Sequence, residues 1–125
     1  MLSITDIIWN RACYGGGESP RNGDRNLAAL LHYHGAAMNS GVFHATEFCS
    51  VAELRGAKEG YRYFGLNEVV AIIQRSEALL KSKESPGDYE QELDAAYFRV
   101  AGDSILSSRF LEKYGQNPAE YSPVQ

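Results

Sequence analysis

The chain has 125 residues, 44% hydrophobic and 22% charged, the size and balance of one globular domain built on one core. No stretch approaches the ~20 apolar residues of a membrane helix, and the start, MLSITDIIWNRAC, lacks the basic head, apolar middle and cleavage site of a signal peptide, so a cytoplasmic protein is expected. The net charge of -4 is unevenly placed: residues 1–83 hold 8 acidic and 9 basic side chains, residues 84–125 hold 8 and 3, which argues against direct nucleic-acid binding and makes the C-terminal third the acidic end.

Ser3-Ile4-Thr5-Asp6 has the spacing of a capping box, and Ile4, Ile7, Ile8 and Arg11 then lie along one side of a short helix. Tyr14 to Asp24, YGGGESPRNGD, holds four glycines and a proline and is expected to be a loop. Leu27, Leu30, Leu31, His34 and Met38 follow at helical spacing as one apolar stripe. Asn39, Ser40 and Gly41 should stop that helix, and Val42 to Cys49 makes a short piece whose Phe43 and Phe48 are expected to plug the core.

A second capping box, Ser50-Val51-Ala52-Glu53, opens the next helix, with Cys49 and Leu54 at the two positions of a hydrophobic staple. Val51, Leu54, Lys58 and Tyr61 share its stripe. Gly65 and Asn67 then predict a tight corner into a helix faced by Val69, Ile72, Ile73, Ser76 and Leu80. Pro86 and Gly87 break the chain, Asp88 is a candidate N-cap, and Leu93, Ala96, Tyr97 and Val100 supply a further buried face. After a corner at Gly102 and Asp103, Leu106, Phe110 and Tyr114 form the last stripe. The expected fold is all-α, a single-domain bundle of about six short helices over residues 1–125, with residues 14–24 a glycine-rich loop.

Little chemistry is written into the motifs. His32 and His34, two apart on one helix, point about 200° away from each other and cannot chelate together. His34 sits on the apolar stripe, as a hydrogen-bonded core histidine does. No C-x-x-C or Cys/His spacing suggests zinc for Cys13 and Cys49, and the glycine cluster lacks the Gly-Lys-Ser/Thr ending of a phosphate loop, so neither metal nor cofactor is expected. Two places remain open. Glu84, Asp88, Glu90, Glu92 and Asp94 cluster without a cation, either as a solvated helix start or as a face for a basic partner. Asn39, Phe43, His44 and Glu47 could line a small pocket, with His44 and Glu47 three apart and able to touch.

Three segments carry a family resemblance. Asn39-Ser40-Gly41-Val42-Phe43, Ala57 through Gly65 leading into Val69 to Leu80, and the pairs Leu93/Tyr97 and Phe110/Tyr114 are together similar to a bacterial family of small helical DNA-mimic proteins, a domain class of unknown function, across residues 25–121. Val42 stands where that family more often has a second glycine. The resemblance implies a non-enzymatic domain that binds another protein; in the mimic itself, carboxylates occupy the DNA site of a regulator. With nine cations in residues 1–83, this chain is weakly suited to a phosphate-like field.

The expected function is therefore a non-enzymatic cytoplasmic protein-binding module. Asp88, Glu90, Glu92 and Asp94 would meet a basic partner such as a DNA-binding regulator or a toxin, with neither nucleic acid nor membrane bound directly. The alternatives are an immunity protein that neutralises a toxin, and a small-molecule binder or enzyme with its pocket near His44.

Overall fold

A computed structural model describes residues 1–82 and 87–124, with Asp88 described through its backbone alone. Among these residues there are seven α-helices and no strand: α1 Ile4–Ala12, α2 Asn22–Ser40, α3 Val42–Phe48, α4 Val51–Tyr63, α5 Asn67–Ser82, α6 Gly87–Ala101 and α7 Asp103–Gln116, followed by a 3₁₀ turn at Pro118–Glu120. Glu84 lies outside the described residues. No described helix is long and apolar enough to cross a membrane.

The local signals act as their spacing requires. In both capping boxes the serine oxygen accepts from the backbone N–H three residues on, Asp6 for Ser3 and Glu53 for Ser50, while the carboxylate accepts from the serine N–H. Gly65, at φ +75°, closes α4 in a Schellman turn: the Leu66 N–H donates to Tyr61 C=O and the Gly65 N–H to Arg62 C=O. Asn67 is already the first residue of α5, and Asp88 falls inside α6 instead of capping it.

Helix α2 is the hub, packing on α1, α3, α4 and the 3₁₀ turn, and most extensively on α4. That closeness depends on Gly60, where an added Cβ would lie 2.4 Å from the Asn26 carbonyl oxygen. Helices α5 and α6 close the other side over α3 and α4, and α7 joins α6 to the C-terminal turn. The interior is rich in tyrosine. Tyr33, Tyr61 and Tyr97 are all buried, with ring centroids 6.2 to 6.5 Å apart.

The expected loop over residues 14–24 ends earlier, because Asn22, Gly23 and Asp24 already belong to α2. The cause is tertiary. Gly23 presses against the Tyr121 ring, and the fully buried Asp24 accepts from Arg11 Nη2 at 2.9 Å, the Arg21 N–H at 3.0 Å and the Ser122 N–H at 2.7 Å. One carboxylate thus ties α1, the start of α2 and the C-terminal segment together.

Several apolar residues expected inside face outward instead. Phe48 is 63% exposed, and Ile4, Met38 and Val51 are exposed with it. Each lies at or near an end of its helix, where no neighbouring element covers the stripe.

Candidate functional site

Helix α2 carries His34 inward as its stripe predicts, leaving the residue only 6% exposed. Its Nδ1 is 2.6 Å from the Tyr97 hydroxyl on α6, and its Nε2 is 2.7 Å from Asp103 Oδ1 at the start of α7. The Tyr97 hydroxyl is in turn 2.6 Å from that of Tyr61 on α4. Four side chains from four helices thus form one hydrogen-bonded line.

The direction of that line follows from its inner end. Among the described residues the Tyr61 hydroxyl has Tyr97 as its partner, so it donates there. Tyr97 then donates to His34 Nδ1, and the remaining ring proton, on Nε2, is donated to Asp103. Burial, the largest cause, pushes the Tyr61 and Tyr97 phenols above their ordinary value, so both remain proton donors. Both ring nitrogens of His34 are consumed internally. A general base needs a nitrogen within reach of a substrate proton, and His34 offers none in this arrangement.

A second buried pair stands beside the first. Tyr33 and Thr46 hydroxyls meet at 2.9 Å, and Thr46 reaches the Val42 carbonyl at 2.9 Å. Burial raises the Tyr33 phenol as well, against a smaller opposing effect from the Thr46 hydrogen bond.

The outer end of the histidine line opens on a groove of about 890 Å³ bounded by α1, α2 and α7. Trp9, Leu31, Phe110 and Leu111 give it apolar walls, and Asp6 and Asp103 lie along it. Asp6 is occupied by the capping box of α1. Asp103 is different: its side chain is 79% exposed although one oxygen is anchored on buried His34.

The acidic set from the sequence is broken up by the fold. Asp94 is drawn inward, where its Oδ1 accepts from the Val42 N–H at 2.8 Å and caps α3 from another helix. Gly41, at φ +94°, makes room for that approach; a Cβ there would lie 3.1 Å from Asp94 Oδ2. Glu92 pairs with Arg75 at 2.8 Å on the surface, and Glu90 is exposed. The side chain of Asp88 lies outside the described residues.

The expected pocket at Asn39, Phe43, His44 and Glu47 is divided as well. Asn39 and His44 line a hollow of about 450 Å³ with His32 and Phe48. Phe43 is buried in the core, and Glu47 faces solvent without an ion pair to His44 among the described residues.

One constellation escaped the sequence reading. His32 of α2, Cys49 just before α4 and Glu53 in the first turn of α4 bring a ring nitrogen, a sulfur and a carboxylate oxygen within 4.8 Å of one another. His32 Nε2 lies 2.9 Å from Glu53 Oε2. The carboxyl of Glu53 is held below its usual range, first by the Ser50 N–H and then by His32, whereas burial and the charge of Glu53 push the Cys49 thiol up. The Cys49/Glu53 half was available as the staple and capping-box positions of one helix. The His32 half depends on how α2 packs on α4.

Comparison with protein-family models, curated proteins and solved structures finds no match.

Proposed function

We propose that the protein is a non-enzymatic binding module whose groove between α1, α2 and α7 receives a basic, partly apolar segment of a partner protein. The observation that carries this reading is Asp103. Its carboxylate is exposed at an apolar groove yet held in place by a buried histidine, which is in turn held by two buried tyrosines. An oriented acceptor beside apolar walls suits a lysine or arginine whose aliphatic stem lies on Trp9 and Leu111 and whose charged end meets Asp103.

Non-catalytic action is supported by the two occupied nitrogens of His34. The expected acidic face on α6 receives less support, since Glu92 has a cation of its own and Asp94 caps α3. DNA mimicry is weakened for the same reason, because a phosphate-like array needs several free carboxylates on one face.

Trp9, the only tryptophan of the chain, reports on the groove directly. Its fluorescence should change saturably when peptides combining lysine or arginine with apolar residues are titrated in. Acidic peptides of matched hydrophobicity should have no such effect. The Asp103→Asn variant keeps an oxygen for His34 but loses the charge, and it should weaken binding at least fivefold, an effect that grows as salt is lowered. Equal binding by wild type and Asp103→Asn, or no peptide response at all, would refute the reading.

A further inference from the structure

Helix α2 turns His32 outward beside the start of α4, on the opposite side from His34. There it meets Cys49 and Glu53, and we infer that these three residues form a binding site for one divalent transition-metal ion of the zinc type, independent of the groove.

The distances are close to what coordination needs. In a tetrahedral zinc site, with bonds of ~2.0–2.2 Å to nitrogen and oxygen and ~2.3 Å to sulfur, ligand atoms stand about 3.3 to 3.6 Å apart. His32 Nε2 and Glu53 Oε2, at 2.9 Å, must open slightly, and no pair among the three ligand atoms exceeds 4.8 Å. His32 and Glu53 can make these adjustments because their side chains are 47% and 45% exposed. Cys49, only 6% exposed, supplies the fixed corner.

Local structure also sorts the donor atoms. Glu53 Oε1 accepts from the Ser50 N–H at 2.9 Å, so the capping box orients the carboxylate and leaves Oε2 for the ion. Three protein ligands leave the fourth tetrahedral position to water or an exogenous group, and the half-exposed His32 and Glu53 side chains put that position at the surface. One sulfur, one imidazole nitrogen and one carboxylate oxygen favour zinc over magnesium or calcium, which prefer oxygen ligands alone. On coordination Cys49 binds as thiolate and its proton passes to solvent, while His32 binds through Nε2 and carries its ring proton on Nδ1.

The test is titration of the reduced, metal-free full chain with Co²⁺, a spectroscopic substitute for zinc. Saturation at one equivalent is expected, with a thiolate-to-cobalt charge-transfer band in the near ultraviolet that zinc displaces. Cys49→Ala should abolish the band, and Cys13→Ser should leave it unchanged. His32→Ala and Glu53→Gln alter exposed side chains, and each should weaken cobalt binding at least tenfold. Zinc should raise the melting temperature of wild type more than that of either variant. A missing band under excess Co²⁺, a band that survives Cys49→Ala, or wild-type affinity in both His32→Ala and Glu53→Gln would overturn the assignment.

Discussion

The order of donation in the buried line is open to a direct energetic test, because its middle and its end should respond differently to losing one hydroxyl. Tyr97→Phe removes the link that both accepts from Tyr61 and donates to His34. Two buried groups lose their partners, the Tyr61 O–H and the His34 Nδ1, and at ~1–3 kcal/mol for each orphan the expected cost is about 2–6 kcal/mol. Tyr61→Phe takes away only a donor to Tyr97, whose own proton still reaches His34, so about 0.5–1.5 kcal/mol is expected. The double variant has one orphan, His34 Nδ1, where Tyr97→Phe has two. Adding Tyr61→Phe to Tyr97→Phe should therefore restore about 1–3 kcal/mol, a coupling of opposite sign to simple accumulation. Urea denaturation of the four proteins, with slopes confirmed equal, measures all of these quantities. A double variant less stable than Tyr97→Phe would refute the donation order.

Three further outcomes follow from other parts of the fold. Asp24→Asn should cost about 3–5 kcal/mol in denaturant midpoint analysis, since one face of the amide must turn N–H groups toward Arg11 or toward two backbone donors; Arg75→Gln, breaking the exposed pair with Glu92, should cost less than ~1 kcal/mol. Gly60→Ala should lower stability by about 1–3 kcal/mol or more, read as a fall in melting temperature, whereas Gly35→Ala, where an added Cβ meets nothing within 4 Å, should not lower it. Alkali should unfold the protein cooperatively: Tyr33, Tyr61 and Tyr97 keep their protons in the native state after the unfolded chain begins to lose them near pH ~10, so stability is fully present below that pH and falls as it rises, by ~1.4 kcal/mol per pH unit for each such tyrosine. Phenolate absorbance followed beside circular dichroism checks this, and phenolate formation complete before any loss of helix would contradict it.

What could be read in the sequence depended on how far apart the partners lie. Ser3 with Asp6, Ser50 with Glu53, and the Gly65 turn are complete within a few residues, so their chemistry determines the structure locally. Helical periodicity similarly identified Leu27, Leu30 and His34 as one buried side of α2. Periodicity gives the direction of a stripe but not the length of its cover, which is why Met38 and Val51 follow the pattern and still meet solvent. Asp24 reads as loop in the sequence because its donors Arg11 and Ser122 stand 13 and 98 residues away. The same holds for His34, whose burial was legible but whose partners, Tyr97 and Asp103, are 63 and 69 residues distant. The charge run on α6 misled in a related way. Composition shows that carboxylates are clustered, but only packing reveals that Asp94 turns inward to Val42 while Glu92 meets Arg75.

The two histidines of α2 separate the proposed activities cleanly. His34 points inward to Tyr97 and orients Asp103 at the groove, while His32, two residues earlier, points outward to Cys49 and Glu53. The same 200° divergence that prevents the pair from sharing an ion lets one helix serve two unrelated sites. The two hollows adjoin along α2, where both are lined by Cys13, Leu31 and Gly35, but the proposed contacts are separate: Trp9 and Asp103 line only the groove, and Cys49 and Glu53 line neither hollow. His32→Ala should therefore abolish the cobalt response while leaving the Trp9 peptide titration unchanged, and Asp103→Asn should do the reverse. If either variant impaired both readouts with the fold intact, α2 would be a mechanical coupling between the sites and not merely their common scaffold.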